Sequence, residues 1–410
     1  MSEIGQDLAV RKKQKGLVPR LRFPEFRGAE EWEEKKLGDF LNESRISGSK
    51  GNIAKKITVK LWGNGVFEKK ETVLGSSNTQ YFRRKAGQFI YSKLDFLNQA
   101  FGIVPESLDN FESTVDLPCF DIAEGLNAGF ILNYIKRKDF YERFGETADG
   151  SRKARRVHTE TFLSFSITLP SKPEQQKIAD CLSSLDDLIT AESKQLEALK
   201  THKKGLMQQL FPREGETVPR LRFPEFREAG EWEEKKLGEI SDVVASGDLD
   251  PACFSQIKTN DHIYPVYSNA VYEQGFYGYY SKPKYPKGSI TITARGTLGV
   301  AFVRTQEFMG IGRLLVVSDF NNVDAIFMGE CWNHLGKIPT ELTSIPQFTA
   351  VAAKATWLPI PLIEEQRRIA DCLSSLDDLI AAQSKKIDAL KTHKKGLMQQ
   401  LFPVLDEAVG

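Results

Sequence analysis

The sequence lacks any run of about 18 apolar residues, so no stretch is long enough to cross a bilayer as a helix, and no membrane partner is expected. Its N-terminus is polar and then basic through Arg11, Lys12, Lys13, Lys15, Arg20 and Arg22, without the apolar segment of a secretory signal; the expected location is the cytoplasm. Cysteine is sparse. Cys119, Cys181, Cys253, Cys331 and Cys372 are odd in number and widely spaced, with no Cys-x-x-Cys pair, which argues for reduced thiols and against a disulfide or zinc framework. An excess of charge of either sign is also missing, because 56 Lys and Arg face 55 Asp and Glu for a net charge of +1. Any grip on a polyanion must therefore come from local patches.

The strings that carry common chemistry are absent as well. No Gly-x-x-x-x-Gly-Lys-Ser/Thr occurs, so there is no phosphate-cradling ATPase loop, and no His-x-x-x-His or Cys/His spacing offers a metal site. A self-contained DNA methyltransferase needs a Gly-rich methyl-donor loop and an Asn/Asp-Pro-Pro-aromatic tetrapeptide; Gly63-Asn64-Gly65 lacks the third glycine, and the tetrapeptide is not found. His202 and His393, in a repeated THKKG, read as surface helix residues, and Asp186-Asp187 and Asp377-Asp378 as solvated flanks. No residue is assigned a catalytic or metal-binding role.

What the sequence does have is repetition. Residues 18–38, VPRLRFPEFRGAEEWEEKKLG, return at 218–238 with identity at 19 of 21 positions, offset by 200. Residues 174–212 return at 365–403 with identity at 32 of 39 positions, offset by 191. The intervening segments, 39–173 and 239–364, show no comparable similarity to one another. One frame is used twice around two different inserts, and 410 residues allow each insert a core of its own.

In the second block Ile178, Leu182, Leu185, Ile189, Leu196, Leu199, Leu206 and Leu210 follow an alternating four-three spacing, repeated by Ile369, Leu373, Leu376, Ile380, Ile387, Leu390, Leu397 and Leu401. Such a stripe, interrupted at Glu192/Gln383 and Lys203/Lys394, predicts a coiled-coil helix. Ser171 with Glu174 reads as a capping box, Pro173 sits in the first turn, and Pro212 and Pro403 stop the two helices. Each helix is expected to run about 37 residues, or roughly 55 Å at 1.5 Å per residue. Exposing two such stripes would be costly, so the economical arrangement pairs them within the chain, antiparallel and about an approximate two-fold axis. The alternative is pairing with a second chain. Read circularly, the order of blocks is the same in both halves, which places the N-terminal block near the end of the second helix.

The inserts carry β-type runs bounded by turn residues: GQFIYSKL (87–94), AGFILNYI (128–135), GSITITARGTLGVAFVR (288–304) and GRLLVVSDF (312–320). They read as α+β heads with short twisted strands, few helices and recognition groups on rim loops. In the first head the polar groups that suit nucleic acid are Lys60, Asn64, Arg83, Arg84, Lys93, Asn98 and Gln99, with Arg152, Lys153, Arg155 and Arg156 in a dense SRKARR run. The run favours phosphate contact, which sets register without reading sequence, or is simply a solvated loop. The amides could pair with adenine and the arginines with guanine. In the second head the candidates are Ser268, Asn269, Tyr279, Lys282, Lys284, Arg295 and Thr297, with Lys354 as counterpart of the Arg155/Arg156 region. Tyrosines beside cations suit a DNA groove, or are half-buried sheet residues.

Two helical repeats separating two unlike segments resemble the specificity subunits of type I restriction-modification systems, over essentially the whole chain. The marks are Pro-x-x-x-Glu-Gln at each helix start (Pro170, Glu174-Gln175; Pro361, Glu365-Gln366), I-A-x-x-L-x-x-L-D (178–186; 369–377) and K-K-G-L-x-Q-x-L-F-P (203–212; 394–403). FRxxxEWEEKKLG (26–38; 226–238), YSKLDFLNQAFGIVP (91–105) and ITARGTLG (292–299) are similar to this family too. The resemblance implies target-recognition domains at 1–170 and 213–360, conserved helices at 171–212 and 361–403, and a tail at 404–410. It implies a non-catalytic subunit that reads a split, asymmetric double-stranded DNA target. Its partners would be two modification subunits, with S-adenosylmethionine, and restriction subunits, with ATP and Mg. Competing readings are a structural adaptor that binds proteins through its coiled coil, and a stand-alone nuclease or methyltransferase. If the helix pair sets the spacing, the half-site centres lie no more than about 16 base pairs apart at 3.4 Å each, and changing one helix by a turn changes the gap.

Overall fold

The computed structural model describes residues 17–70, 75–145, 156–336 and 347–404. The chain forms two compact units, Met1–Glu192 with Lys386–Gly410, and Ser193–Lys385. The division falls inside both long helices, Lys172–Leu210 and Ile363–Leu401, each of 39 residues. Each unit thus contains the N-terminal half of one helix and the C-terminal half of the other. No helix of the described residues is long and apolar enough to cross a membrane.

The four-three stripe explains the pairing. In the first unit Ile178 and Leu182 share a core with Leu397 and Leu401; in the second, Ile369 and Leu373 share one with Leu206 and Leu210. All sixteen predicted stripe residues are buried or half-buried. A helix start packed on a helix end is antiparallel pairing, and repeated ion pairs mark its register. Lys394 Nζ donates to Asp186 at 2.6 Å in the first unit, and Lys203 Nζ to Asp377 at 2.7 Å in the second. These are the same two frame positions, so the lysines that interrupt the stripe and the acids read as solvated flanks turn out to be partners. Burial works against the charge on Lys203, but hydrogen bonds to Asp377 and to Glu330, the latter at 2.8 Å, outweigh it and hold the ammonium above the usual lysine range. Glu192, the other interruption, is buried and accepts from Lys386 at 2.7 Å.

Each frame block is tied to its unit by a buried ion pair that the sequence reading assigned differently. Glu174 does not close a capping box: its carboxylate accepts from Arg22 Nε at 2.8 Å and Nη2 at 2.7 Å. Glu365 takes Arg222 at the same two distances. In both pairs the side chains are 7% and 1% exposed. A carboxylate so deep in the protein needs a cation, and the forked guanidinium supplies two parallel bonds. The neighbouring glutamine clamps the helix start to the head. Gln175 Nε2 donates to Pro170 O at 3.0 Å and its Oε1 accepts from Asn127 N at 2.9 Å; Gln366 makes the equivalent bonds to Pro361 O and Asp324 N, both at 2.9 Å. The helix ends are plugged by aromatic packing, Phe402 against Trp32 and Phe211 against Trp232, each with ring centroids 6.1 Å apart. Leu21 N donates to Gln400 O, which puts the N-terminal block at the end of the second helix as the circular reading expected.

The heads differ in sequence but share a sheet. In the first, antiparallel strands run in the order Leu41–Glu43, Cys119–Ile122, Phe89–Tyr91, Phe101–Ile103; in the second, Asp242–Ala245, Leu315–Ser318, Ile290–Ile292, Ala301–Val303. A two-stranded ribbon joins each head to its frame, Glu33–Lys36 with Ser166–Leu169 and Glu233–Lys236 with Trp357–Ile360. The segment 128–135 is a helix, Ala128–Ile135, and not the expected strand. Its run is apolar almost throughout, and periodicity cannot separate a buried strand from a buried helix in so short a run. Asn127 decides it by accepting from Phe130 N as N-cap, as Asp324 does for the matching helix Ala325–Leu335. Short helices at Lys138–Gly145, Thr159–Leu163 and Ala350–Lys354 make the heads more helical than expected.

Candidate nucleic-acid interface

In the first head a hairpin, Ile57–Val59 with Val66–Glu68, projects the loop 60–65, which the loop after Phe89–Tyr91 holds by backbone bonds. Trp62 N donates to Asn98 O at 2.7 Å and Gly63 N to Gln99 O at 2.9 Å. Two of the predicted clusters, Lys60–Asn64 and Lys93–Gln99, are therefore one. Gly63-Asn64-Gly65 is the turn of this hairpin. Lys136 Nζ donates to Gly63 O at 3.0 Å from below; burial, with the charge of Lys394, holds it under the usual lysine range, although Asp186 opposes this. Lys60 is exposed, its Nζ 4.4 Å from the Phe67 ring centroid. Asn64 donates to Leu61 O and Asn98 to Asp95 Oδ1, leaving each amide oxygen for an outside donor. Arg156 joins the cluster, because Val157 N donates to Lys93 O while the exposed Arg156 lies 3.7 Å from Asp116. Arg152, Lys153 and Arg155 lie outside the described residues.

The adjacent candidates Arg83 and Arg84 divide. Arg83 is exposed, whereas Arg84 is 2% exposed and donates to Ser113 Oγ at 2.7 Å, Ser44 O at 2.7 Å and Leu117 O at 3.2 Å. Its guanidinium, which burial pushes below the usual arginine range, is a brace inside the head and leaves the candidate set.

The second head builds the same corner from other residues. Strands Tyr264–Tyr267 and Phe276–Tyr280 form the hairpin, and its loop starts at Ser268, which bonds across to Gly275 O. Asn269 is held within the protein at both ends of its amide, its Nδ2 donating to Gly312 O and its Oδ1 accepting from Ala294 N, both at 2.7 Å. It acts as a tie that sets the exposed Arg295 and Thr297 beside the hairpin. Arg313, exposed and with φ +63°, sits on the other side of that tie and was not anticipated. Tyr279 is half-buried, edge-on to Phe276 at 5.3 Å; the tyrosines that face solvent are Tyr272 and Tyr277. Lys282 and Lys284 are exposed. Lys354 donates to Asp242 at 3.0 Å, a surface pair that an anion can displace.

Most of the candidates lie on loops beyond the Tyr91 and Ile292 ends of the two sheets, but Arg83 stands in the strand Gln80–Arg83, and Lys354 stands in the helix Ala350–Lys354, against Gly238 of the frame and, through Asp242, at the other end of the second sheet. Residues 29–201 and 229–392 both match the family model described as the type I restriction modification DNA specificity domain. The chain belongs to that family. Among curated proteins, it is 25% identical over 273 residues to the type I restriction enzyme MjaVIII specificity subunit of Methanocaldococcus jannaschii, covering 60% of this chain and 63% of the relative. The chain spans 66% and 63% of the length of the two M. jannaschii relatives it matches. Among solved structures, the type I restriction-modification S subunit of M. genitalium superposes with a TM-score of 0.63 at 16% identity, covering 95% of this chain and all of that one. A second structure, described as bearing on complex assembly and conformational transition of the type I R-M system, gives 0.55 at 15% identity over 91% of this chain and 97% of its own. These two likenesses concern the fold.

Proposed function

We propose that the chain is the DNA-recognition subunit of a type I restriction-modification enzyme, and that each head reads one half of a bipartite, asymmetric double-stranded target. The observation that carries this reading is the contrast within the repeat: the buried Arg–Glu pairs, the glutamine clamps, the Lys–Asp pairs and the order of the four-stranded sheet recur, while the rim loops on that sheet differ in sequence. Arg83, Lys93, Arg156, Lys282, Lys284 and Lys354 suit phosphate, and Lys60, Asn64, Asn98, Gln99, Arg295 and Thr297 suit base edges. Arg152, Lys153 and Arg155 extend the phosphate group in the same reading. The frame would dock two modification subunits, which bring S-adenosylmethionine, and the complex would recruit restriction subunits, which bring ATP and Mg; chemistry belongs to those partners. It would work in the cytoplasm.

The test is selection of bound duplexes from a random-sequence DNA pool by the chain with its modification subunits, together with mapping of methylated adenines in cells that carry it. Two unlike half-sites around a fixed unread gap are expected. A palindrome, or no enriched sequence, would overturn the reading.

A further inference from the structure

Each head holds one large aromatic residue out in solvent on a hairpin loop whose backbone is strained. In the first head Trp62 is 62% exposed with φ +60°. A bulky residue in left-handed backbone is strained and persists only where its surroundings hold it. Here they do so through the bonds from Trp62 N and Gly63 N to Asn98 O and Gln99 O, and through Lys136 Nζ on Gly63 O. Gln99, on the receiving side, is itself at φ +53°.

In the second head Tyr272 is 81% exposed and is followed by Glu273 at φ +48°, Gln274 at +54° and Gly275 at +80°. A Cβ on Gly275 would stand 2.5 Å from Ser268 O, so only glycine closes this turn. Arg304, buried and lying 3.6 Å from the Tyr267 ring centroid, donates to Gln274 O at 2.8 Å. Burial pushes that guanidinium down to about 10. Two loops of unrelated sequence thus share one device. In each, a cation from inside the head, half-buried Lys136 or buried Arg304, grips a carbonyl one or two residues past an exposed aromatic, and the backbone is left-handed at the ring in the first loop and just after it in the second. Among the described residues neither ring makes an aromatic or cation–π contact. Folding alone would favour a glycine or asparagine at position 62, where φ is +60°, and a polar side chain at the exposure of either ring.

We propose that Trp62 and Tyr272 are the stacking residues of the two heads, each laying its ring against a nucleobase of double-stranded DNA. The inference rests on the DNA-recognition reading above and names the residues that carry its apolar part. DNA suits these tips because cations and amides surround them: Lys60, Asn64 and Arg156 around the first loop, and Arg295 and Arg313 beside the second. An aromatic wedge flanked by cations unstacks or leans on a base while the cations hold phosphate.

The experiment uses the full chain with its modification subunits and a duplex recovered from the random pool. Because both side chains are exposed, W62A and Y272A are expected to melt like the parent. W62A should weaken binding to the recovered duplex by about tenfold or more, leave the salt dependence unchanged, and relax selection in one half-site; Y272A should do the same in the other. W62F should retain most of the affinity, and the drop in indole emission on binding the duplex should vanish in W62F. Affinity within about twofold of the parent for both alanine variants overturns the proposal, as does an equal loss on unrelated duplexes. Loss of modification-subunit binding with DNA affinity intact assigns the tips to a protein contact and overturns it too. If the parent enriches no sequence, the recognition reading fails and the proposal falls with it. Enrichment by the parent with unaffected alanine variants sinks the stacking assignment alone.

Discussion

At the scale of single residues, the arginines divide by burial, and the division predicts opposite phenotypes. Arg22 and Arg222 neutralise carboxylates that are 1% exposed, so removing either leaves a charge stranded inside the protein. R22A should lower stability by about 3–5 kcal/mol in denaturant unfolding, while the apolar pair R22M/E174L should recover much of that loss. Equal destabilisation by the single and double variants would show that the pair is not the source. Arg84 belongs to the same buried class. R84M should destabilise the first head by about 1–3 kcal/mol, from carbonyls left without donors, with the salt slope of DNA binding unchanged. R83A should do the reverse: stability is kept, binding to cognate and unrelated duplexes weakens alike, and the salt slope falls by about one. No sequence pattern distinguishes adjacent arginines in Phe82-Arg83-Arg84-Lys85, because which one points inward is a matter of strand phase fixed by Ser44, Ser113 and Leu117 far along the chain.

At the scale of elements, the Glu-Gln pair at each helix start is the joint between frame and head. Gln175 satisfies the amide of Asn127, which caps Ala128–Ile135; Gln366 does the same for Asp324 and Ala325–Leu335. Q175A should speed amide exchange around 127–131 and leave 324–328 protected, and Q366A should show the opposite pattern. Exchange that rises in both heads after either change would refute separate joints. This level shows where sequence reasoning works and where it stops. The long helices were legible because sixteen apolar positions hold one period over many turns, so local pattern and tertiary burial agree. The helix 128–135 was misread because AGFILNYI is buried on nearly every side and carries no period. Glu174 looked like a local cap, yet its partner lies 152 residues earlier. Trp62 and Tyr272 fall within stretches whose polar and aromatic content suits DNA, 60–64 and 267–285, but nothing in the sequence singles them out, because exposure cannot be read from a chain; the available signal is the glycines beside them.

At the scale of the whole molecule, shared scaffold with unrelated rim loops makes the heads interchangeable parts. Replacing 39–170 with the corresponding segment of another family member should change one half-site and leave the other intact. Methylation mapping checks this, and rewriting of both half-sites would refute modular reading. The plugs at the helix ends carry the idea further. Phe402 sits against Trp32, and the LMQQLFP that delivers it is identical to the LMQQLFP that delivers Phe211 to Trp232. A truncated chain ending soon after Pro212 would have no Phe402 to offer, but it would carry a sequence-identical substitute in Phe211. Two such half-length chains can exchange helix ends, each filling the cavity beside the other's Trp32, and close as a symmetric domain-swapped dimer. The dimer should sediment at twice the half-chain mass. Having two copies of one reader, it should mark an inverted repeat of a single half-site, so that a premature stop in the gene would give a new DNA specificity rather than an inactive protein.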